Sequence, residues 1–176
     1  VRTETDILKL EAFMTALAAR TKGPGRIYLT GGATALLHRW RLNTLDIDLK
    51  AAPEPHGFFE AIAILKDQLD VNVELAAPDQ FIPPLPGWQE RSVFIARHGT
   101  LDFHHYDYYS QALAKLERGH TRDLLDVRAM LDRHMITLPR LQEFFAAIEP
   151  ELIRYPAITP SVFREQVENF CSTFRP

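Results

Sequence analysis

Two glycines, Gly31 and Gly32, follow the apolar run Ile27-Tyr28-Leu29, and fourteen positions after Gly32 stand Asp46-Ile47-Asp48. Glycine lets a phosphate come close to backbone N–H groups, and at a helix start those groups are unpaired and favour anions. Paired carboxylates suit magnesium, which is usually held by one or two of them together with substrate phosphates. Residues two apart in a strand share a face, so Asp46 and Asp48 project together while Ile47 and Leu49 face a core. The two motifs therefore look like one nucleotide site. A nucleoside triphosphate substrate would rest its β and γ phosphates on Gly31 and Gly32, with a hydroxyl from Thr34. Asp46 and Asp48 would hold one or two magnesium ions, with manganese as an alternative.

A third carboxylate and several cations complete the chemistry. Glu74 lies in the alternating segment Val71-Asn72-Val73-Glu74-Leu75, and it joins the pair if that strand runs beside strand 45–49; it would bind metal or take the proton of the attacking hydroxyl. Asp102 competes for the role, because Leu101-Asp102-Phe103 alternates too. Lys115, in the last turn of a helix, is the best cation for the triphosphate; Arg122 also reaches phosphate, while Asp123 or Asp126 orients the lysine. Arg39 and Arg41, between glycines and aspartates, contact base or ribose phosphate. Each has a plainer reading as well. A lysine at a helix C-terminus is favoured by the dipole, an aspartate in a first turn likewise, and Asp46 and Asp48 also fit an ordinary solvated strand face.

The elements that must position these residues follow from pattern. Asp6 caps a helix carrying Ile7, Leu10, Met14 and Leu17 at helical spacing, stopped by Lys22-Gly23-Pro24-Gly25. A strand at 26–30 leads through the glycines into a short helix, 33–39. Strand 45–49 ends at Pro53-Glu54-Pro55, and a helix over 58–69 presents Phe59, Ile62, Leu65 and Leu69 on one face. Residues 76–90, rich in proline, form a loop that packs down through Phe81, Ile82, Leu85 and Trp88. A hairpin, 92–97 with 100–106, turns at His98-Gly99. Helices then run from Ser110 to Arg118, from a Thr121 cap with Leu124, Val127 and Leu131 inward, from Pro139 to Ile148, and from Pro160 to Thr173. This is an α+β pattern with a mixed sheet, read as one domain over 1–135 and a helical C-terminal extension, 136–176, packed on it.

Composition narrows the classes. With 176 residues, 46% hydrophobic and 24% charged, the chain can bury a proper core. A net charge of -3 gives no general field for nucleic acid, so any RNA contact is local. The single cysteine, Cys171, excludes an intramolecular disulfide and fits a reducing, cytoplasmic setting. No apolar run approaches the roughly 20 residues of a membrane span, and the polar start Val1-Arg2-Thr3-Glu4 is no signal peptide. Zinc is disfavoured: His104 and His105 are adjacent on a strand and point to opposite faces, and with His98 they offer no evident third ligand.

Leu29-Thr30-Gly31-Gly32 with Asp46-Ile47-Asp48-Leu49 resembles the polymerase-β-like nucleotidyltransferase superfamily. Ala114-Lys115-Leu116-Glu117-Arg118-Gly119 with Arg122-Asp123-Leu124-Leu125-Asp126-Val127 resembles the downstream motifs of its abortive-infection type, the toxins of toxin–antitoxin pairs. The resemblance spans roughly 26–131. It implies the minimal nucleotidyltransferase fold with a helical C-terminal part, magnesium, and transfer of a nucleoside monophosphate to a hydroxyl of RNA, such as a transfer RNA 3′ end, or of protein; a cognate antitoxin would be a partner. The chain departs from the pattern where Gly32 is followed by Ala33, because the serine that holds phosphate in many relatives is missing. Two other readings stand beside this one. One is a non-catalytic nucleotide- or partner-binding module on the same fold. The other is a metal-independent ribonuclease using Arg128 and His134, whose spacing faintly resembles small helical nucleases.

Overall fold

The computed structural model describes residues 2–174, so Val1 and the last two residues of the expected C-terminal extension lie outside it. Two compact units emerge from the chain: residues 1–77 with 92–106, and residues 78–91 with 107–176. The first is a mixed sheet with helices on it; the second is helical.

In the first unit α1 (Ile7–Arg20) starts where Asp6 accepts a hydrogen bond from the Lys9 N–H at 2.9 Å. β1 (Gly25–Thr30) runs into Gly31 and then α2 (Gly32–Leu37). β2 (Asp46–Ala51), α3 (Phe58–Gln68), β3 (Asn72–Glu74), β4 (Val93–His98) and β5 (Leu101–His105) complete it. The sheet order is β3-β2-β1-β5-β4. β1 is antiparallel to β2 and parallel to β5, β2 is parallel to β3, and β4 and β5 form the expected hairpin. The unit is α+β.

Ile27, Leu29, Ile47, Leu49, Val73 and Phe103 point to one face, where they form a single core with α1 and α3. Their strand neighbours therefore point the other way. On α3 the buried stripe is Phe58, Ala61, Ile62 and Leu65: Ile62 and Leu65 are buried as expected, Leu69 is half-buried, and Phe58 takes the place of Phe59, which is 54% exposed. Both aromatics fit a helical period with Ile62 and Leu65, and starting the helix at Phe58 selects the first.

The second unit contains α4 (Trp88–Arg91), α5 (Tyr108–Arg118), α6 (Thr121–Asp132), α7 (Leu138–Ile148) and α8 (Pro160–Thr173). In the proline-rich segment Ile82 and Leu85 are buried as expected, whereas Phe81 is exposed. α5 begins two residues before Ser110 because Asp107 caps it, accepting from the Tyr109 and Ser110 N–H groups, and Arg91 clamps that carboxylate with two bonds of 3.0 and 2.9 Å. Gly119, in the left-handed region at φ 70, ends the helix as read. The cap of α6 is His120 rather than Thr121. Its inward face is Asp123, Asp126, Val127 and Met130, while Leu124 is exposed and Leu131 half-buried. The apolar pattern misled because a buried lysine on α5 draws two carboxylates into the stripe that leucines would otherwise fill. Among the described residues no helix is long and apolar enough to cross a membrane.

Candidate functional site

The register of the sheet brings the two opening motifs together. Thr30, the last residue of β1, pairs with Asp48, so the glycine turn follows directly beside the second aspartate. Gly31 has φ 60 and ψ -128, a conformation glycine adopts readily and other residues rarely. A Cβ there would also meet Asp48 Oδ2 at 2.6 Å. The backbone here thus favours glycine, and any side chain would push the Asp48 carboxylate aside. Gly32 opens α2 as expected.

Asp46 and Asp48 are half-buried on the face opposite the core, since Ile47 and Leu49 are fully buried. Glu74 is the direct neighbour of Asp48 across the parallel β2–β3 pair, and it is exposed. Adjacent strands lie about 4.8 Å apart, so the third carboxylate stands beside the pair. Asp102 lies apart from them: it pairs with Arg26 near the start of β1, at the other end of that strand from the glycines, and Arg97 holds it at 2.7 and 3.0 Å. That ion pair lowers the Asp102 carboxyl below its ordinary range. Sequence could not settle this choice, because alternation marks a face but not a register.

Two further side chains share this face: Asn72, which alternation sets beside Glu74, and Lys50. Asn72, opposite Asp46, donates from its side-chain amide to Asp46 Oδ1 and so fixes that carboxylate. Lys50 stands two residues beyond Asp48 on the same strand and therefore on the same face. Both follow from alternation once the strand is known: Asn72 and Lys50 fall on the polar set.

Among the described residues no group of three or more His, Cys, Asp or Glu side chains is arranged to hold a metal ion unaided. The donor chemistry nevertheless fits magnesium. Two carboxylates on one rigid strand face are the share of ligands a protein normally supplies, the remainder coming from phosphates and water.

Thr34 departs from expectation. It is fully buried, and its hydroxyl lies 3.1 Å from His105 Nδ1, tying α2 to β5. Burial pushes the His105 imidazole down to about 3, so the ring is neutral, and the His38 ring stacks on it at 4.6 Å. His105 thus has a packing role. Arg39, with φ 62, is exposed just past α2, and Arg41 is half-buried.

In the helical unit Lys115 is buried, with Nζ 2.7 Å from Asp126 and 3.5 Å from Asp123. Arg118 adds bonds of 2.9 and 2.5 Å to Asp123. Burial alone would raise Asp123, but the Arg118 hydrogen bonds and the Lys115 charge outweigh it and hold the carboxyl below its ordinary value. Both aspartates, rather than one of them, orient the lysine. Arg122 is exposed in the first turn of α6.

Arg128 and His134 both line an open cavity of about 710 Å³. Arg128 bonds Asp132 at 2.9 Å and lies 4.4 Å over the Phe174 ring; His134 is exposed, beyond the end of α6, at φ 57.

A family described as nucleotidyltransferase of unknown function (DUF6036) matches residues 5–166. No curated protein and no solved structure gives a match.

Proposed function

The chain belongs to the DUF6036 nucleotidyltransferases, and from that premise we propose that it moves a nucleoside monophosphate from a triphosphate to an acceptor hydroxyl on the sheet face bearing Asp46, Asp48 and Glu74. The observation that carries this reading is the contact between the two motifs. A Cβ at Gly31 would fall 2.6 Å from Asp48 Oδ2, so a phosphate resting on the turn would lie beside the carboxylates.

In the proposed reaction the acceptor oxygen forms a bond to the α-phosphorus, the bond from that phosphorus to the bridging oxygen breaks, and pyrophosphate leaves. Glu74, exposed beside Asp48, takes the hydroxyl proton. Asp46 and Asp48 hold the magnesium, which when bound neutralises phosphate charge and polarises the reacting oxygens. Asn72 keeps Asp46 turned toward the ligand, and the backbone at Gly31-Gly32 receives phosphate. Arg39 and Arg41 add positive charge near the base or ribose. The reading rests on the sheet face alone; Lys115, matched by Asp123 and Asp126, is assigned no contact with nucleotide. The abortive-infection resemblance extends the proposal to an RNA acceptor, including a transfer RNA 3′ end, and to a toxin with a cognate antitoxin.

The test is incubation with magnesium, total cellular RNA and each of four α-labelled ribonucleoside triphosphates, beside Asp46→Asn. Label in an RNA or protein band, absent in the variant, is the expected result. Equal labelling by the variant refutes the assignment of Asp46.

A further inference from the structure

We propose that Thr44 supplies the hydroxyl that meets phosphate at the glycine turn, an assignment that deepens the nucleotidyl-transfer reading and rests on it. Thr34 was the expected donor, but its hydroxyl is buried against His105. Thr44 reaches the turn from the other side. Its backbone is clamped by Thr5 in both directions: the Thr5 N–H donates to the Thr44 carbonyl at 2.8 Å, and the Thr44 N–H to the Thr5 carbonyl at 2.9 Å. The segment that clamps it is itself anchored, through the Thr3 N–H donating to Asp70 at 3.2 Å, just before β3. Thr44 is therefore braced two residues ahead of Asp46.

Its side chain lies against Gly32. A Cβ built on Gly32 would fall on Thr44 Oγ1 and 2.6 Å from Thr44 Cβ. In space, the Thr44 hydroxyl stands where a serine side chain at position 32 would begin. The turn that lacks a hydroxyl in its own sequence thus has one delivered from a residue twelve positions later. Thr44 is 7% exposed, and among the described residues no hydrogen bond uses its Oγ1. A hydroxyl of this kind can donate to an anionic oxygen, and bonds to charged groups are the stronger class. The ligand class is the polyphosphate of a nucleotide. Gly32 is then needed because any side chain there would displace the Thr44 hydroxyl.

The experiment is calorimetric titration of the whole chain with inorganic triphosphate in magnesium, on wild type, Thr44→Val, Thr44→Ser, the double variant Gly32→Ser with Thr44→Gly, and Asp46→Asn with Asp48→Asn. Thr44→Val keeps the shape and is expected to weaken binding about tenfold with an unchanged unfolding temperature, a loss in the range for one hydrogen bond to a charged group. Thr44→Ser stays within about threefold of wild type, and the swapped pair regains affinity by returning a hydroxyl from the opposite side. Wild-type affinity in Thr44→Val, or an equal loss in Thr44→Ser, overturns the Thr44 assignment alone when the aspartate variant has lost binding. Absence of wild-type binding, or undiminished binding by the aspartate variant, overturns the site reading and the Thr44 assignment together.

Discussion

On the sheet, Asp46 and Asp48 are half-buried and Glu74 exposed, three like charges gathered along two neighbouring strands. In the helical unit Lys115, Asp123 and Asp126 are 6%, 4% and 2% exposed, and opposite charges meet there. The sheet carboxylates share their face with Lys50 and Asn72 and stay open to a ligand. The helical cluster is consistent with a neutralised interior, where each charge is tolerable only because its partner is present. Carboxylates on an open strand face are within reach of a ligand; charges sealed between helices hold those helices together.

Breaking the sheet cluster should therefore remove activity without removing structure. Asp48→Asn is expected to lower label transfer by about 10²–10³-fold, the loss typical of one transition-state charge partner, while stability in urea changes by under about 1 kcal/mol, the range of partly exposed pairs. A large loss of stability in this variant would mean that the carboxylate is structural. The helical cluster should respond the other way. Lys115→Met takes the lysine from buried Asp126 and leaves Asp123 with Arg118 alone, and is expected to cost about 3–5 kcal/mol in urea unfolding; a cost under about 1 kcal/mol, the range of surface pairs, would show that the cluster is not held as described.

His105 sharpens the contrast through pH. Burial keeps its imidazole neutral down to about 3, whereas in the unfolded chain it titrates near 6.5. The unfolded state therefore binds the extra proton between these values, and stability falls as pH is lowered through that window, by up to about 1.4 kcal/mol per unit. His105→Asn should flatten the slope of unfolding free energy between pH 6 and 4; an unaltered slope would assign it to other groups.

The smallest effect is expected at Asp102. Asp102→Asn should change activity less than about twofold and stability by under about 1 kcal/mol, as for an exposed ion pair. Glu74→Gln in the same transfer assay should lose about 10²-fold, in keeping with a general base. The reverse ranking would return the third carboxylate to the hairpin.

Much of this was legible from pattern, and the failures have physical causes. Alternation placed Asp46 and Asp48 on one face, because a strand with one buried side has little choice of register. Asp6, Gly119 and the hairpin at Gly99 were readable because caps and left-handed turns demand particular residues. Thr34 was misread as facing ligand because a hydroxyl following a glycine turn gives no sign of a histidine arriving from a strand seventy-one residues later. Leu124 was expected inward on α6 because charged side chains are rarely buried, and the rule yields when a lysine partner is buried with them. Thr44 was invisible as a site residue, because its closeness to Gly32 exists only in three dimensions.

The central claim, that the sheet carboxylates and the glycine turn form one nucleotide–metal site, is tested most directly by electron paramagnetic resonance titration of manganese in the presence of a nucleoside triphosphate, on wild type and on Asp46→Asn with Asp48→Asn. The account predicts manganese bound by wild type, more tightly with nucleotide than without, and lost from the double variant while its fold persists. Equal binding by the two proteins would contradict it.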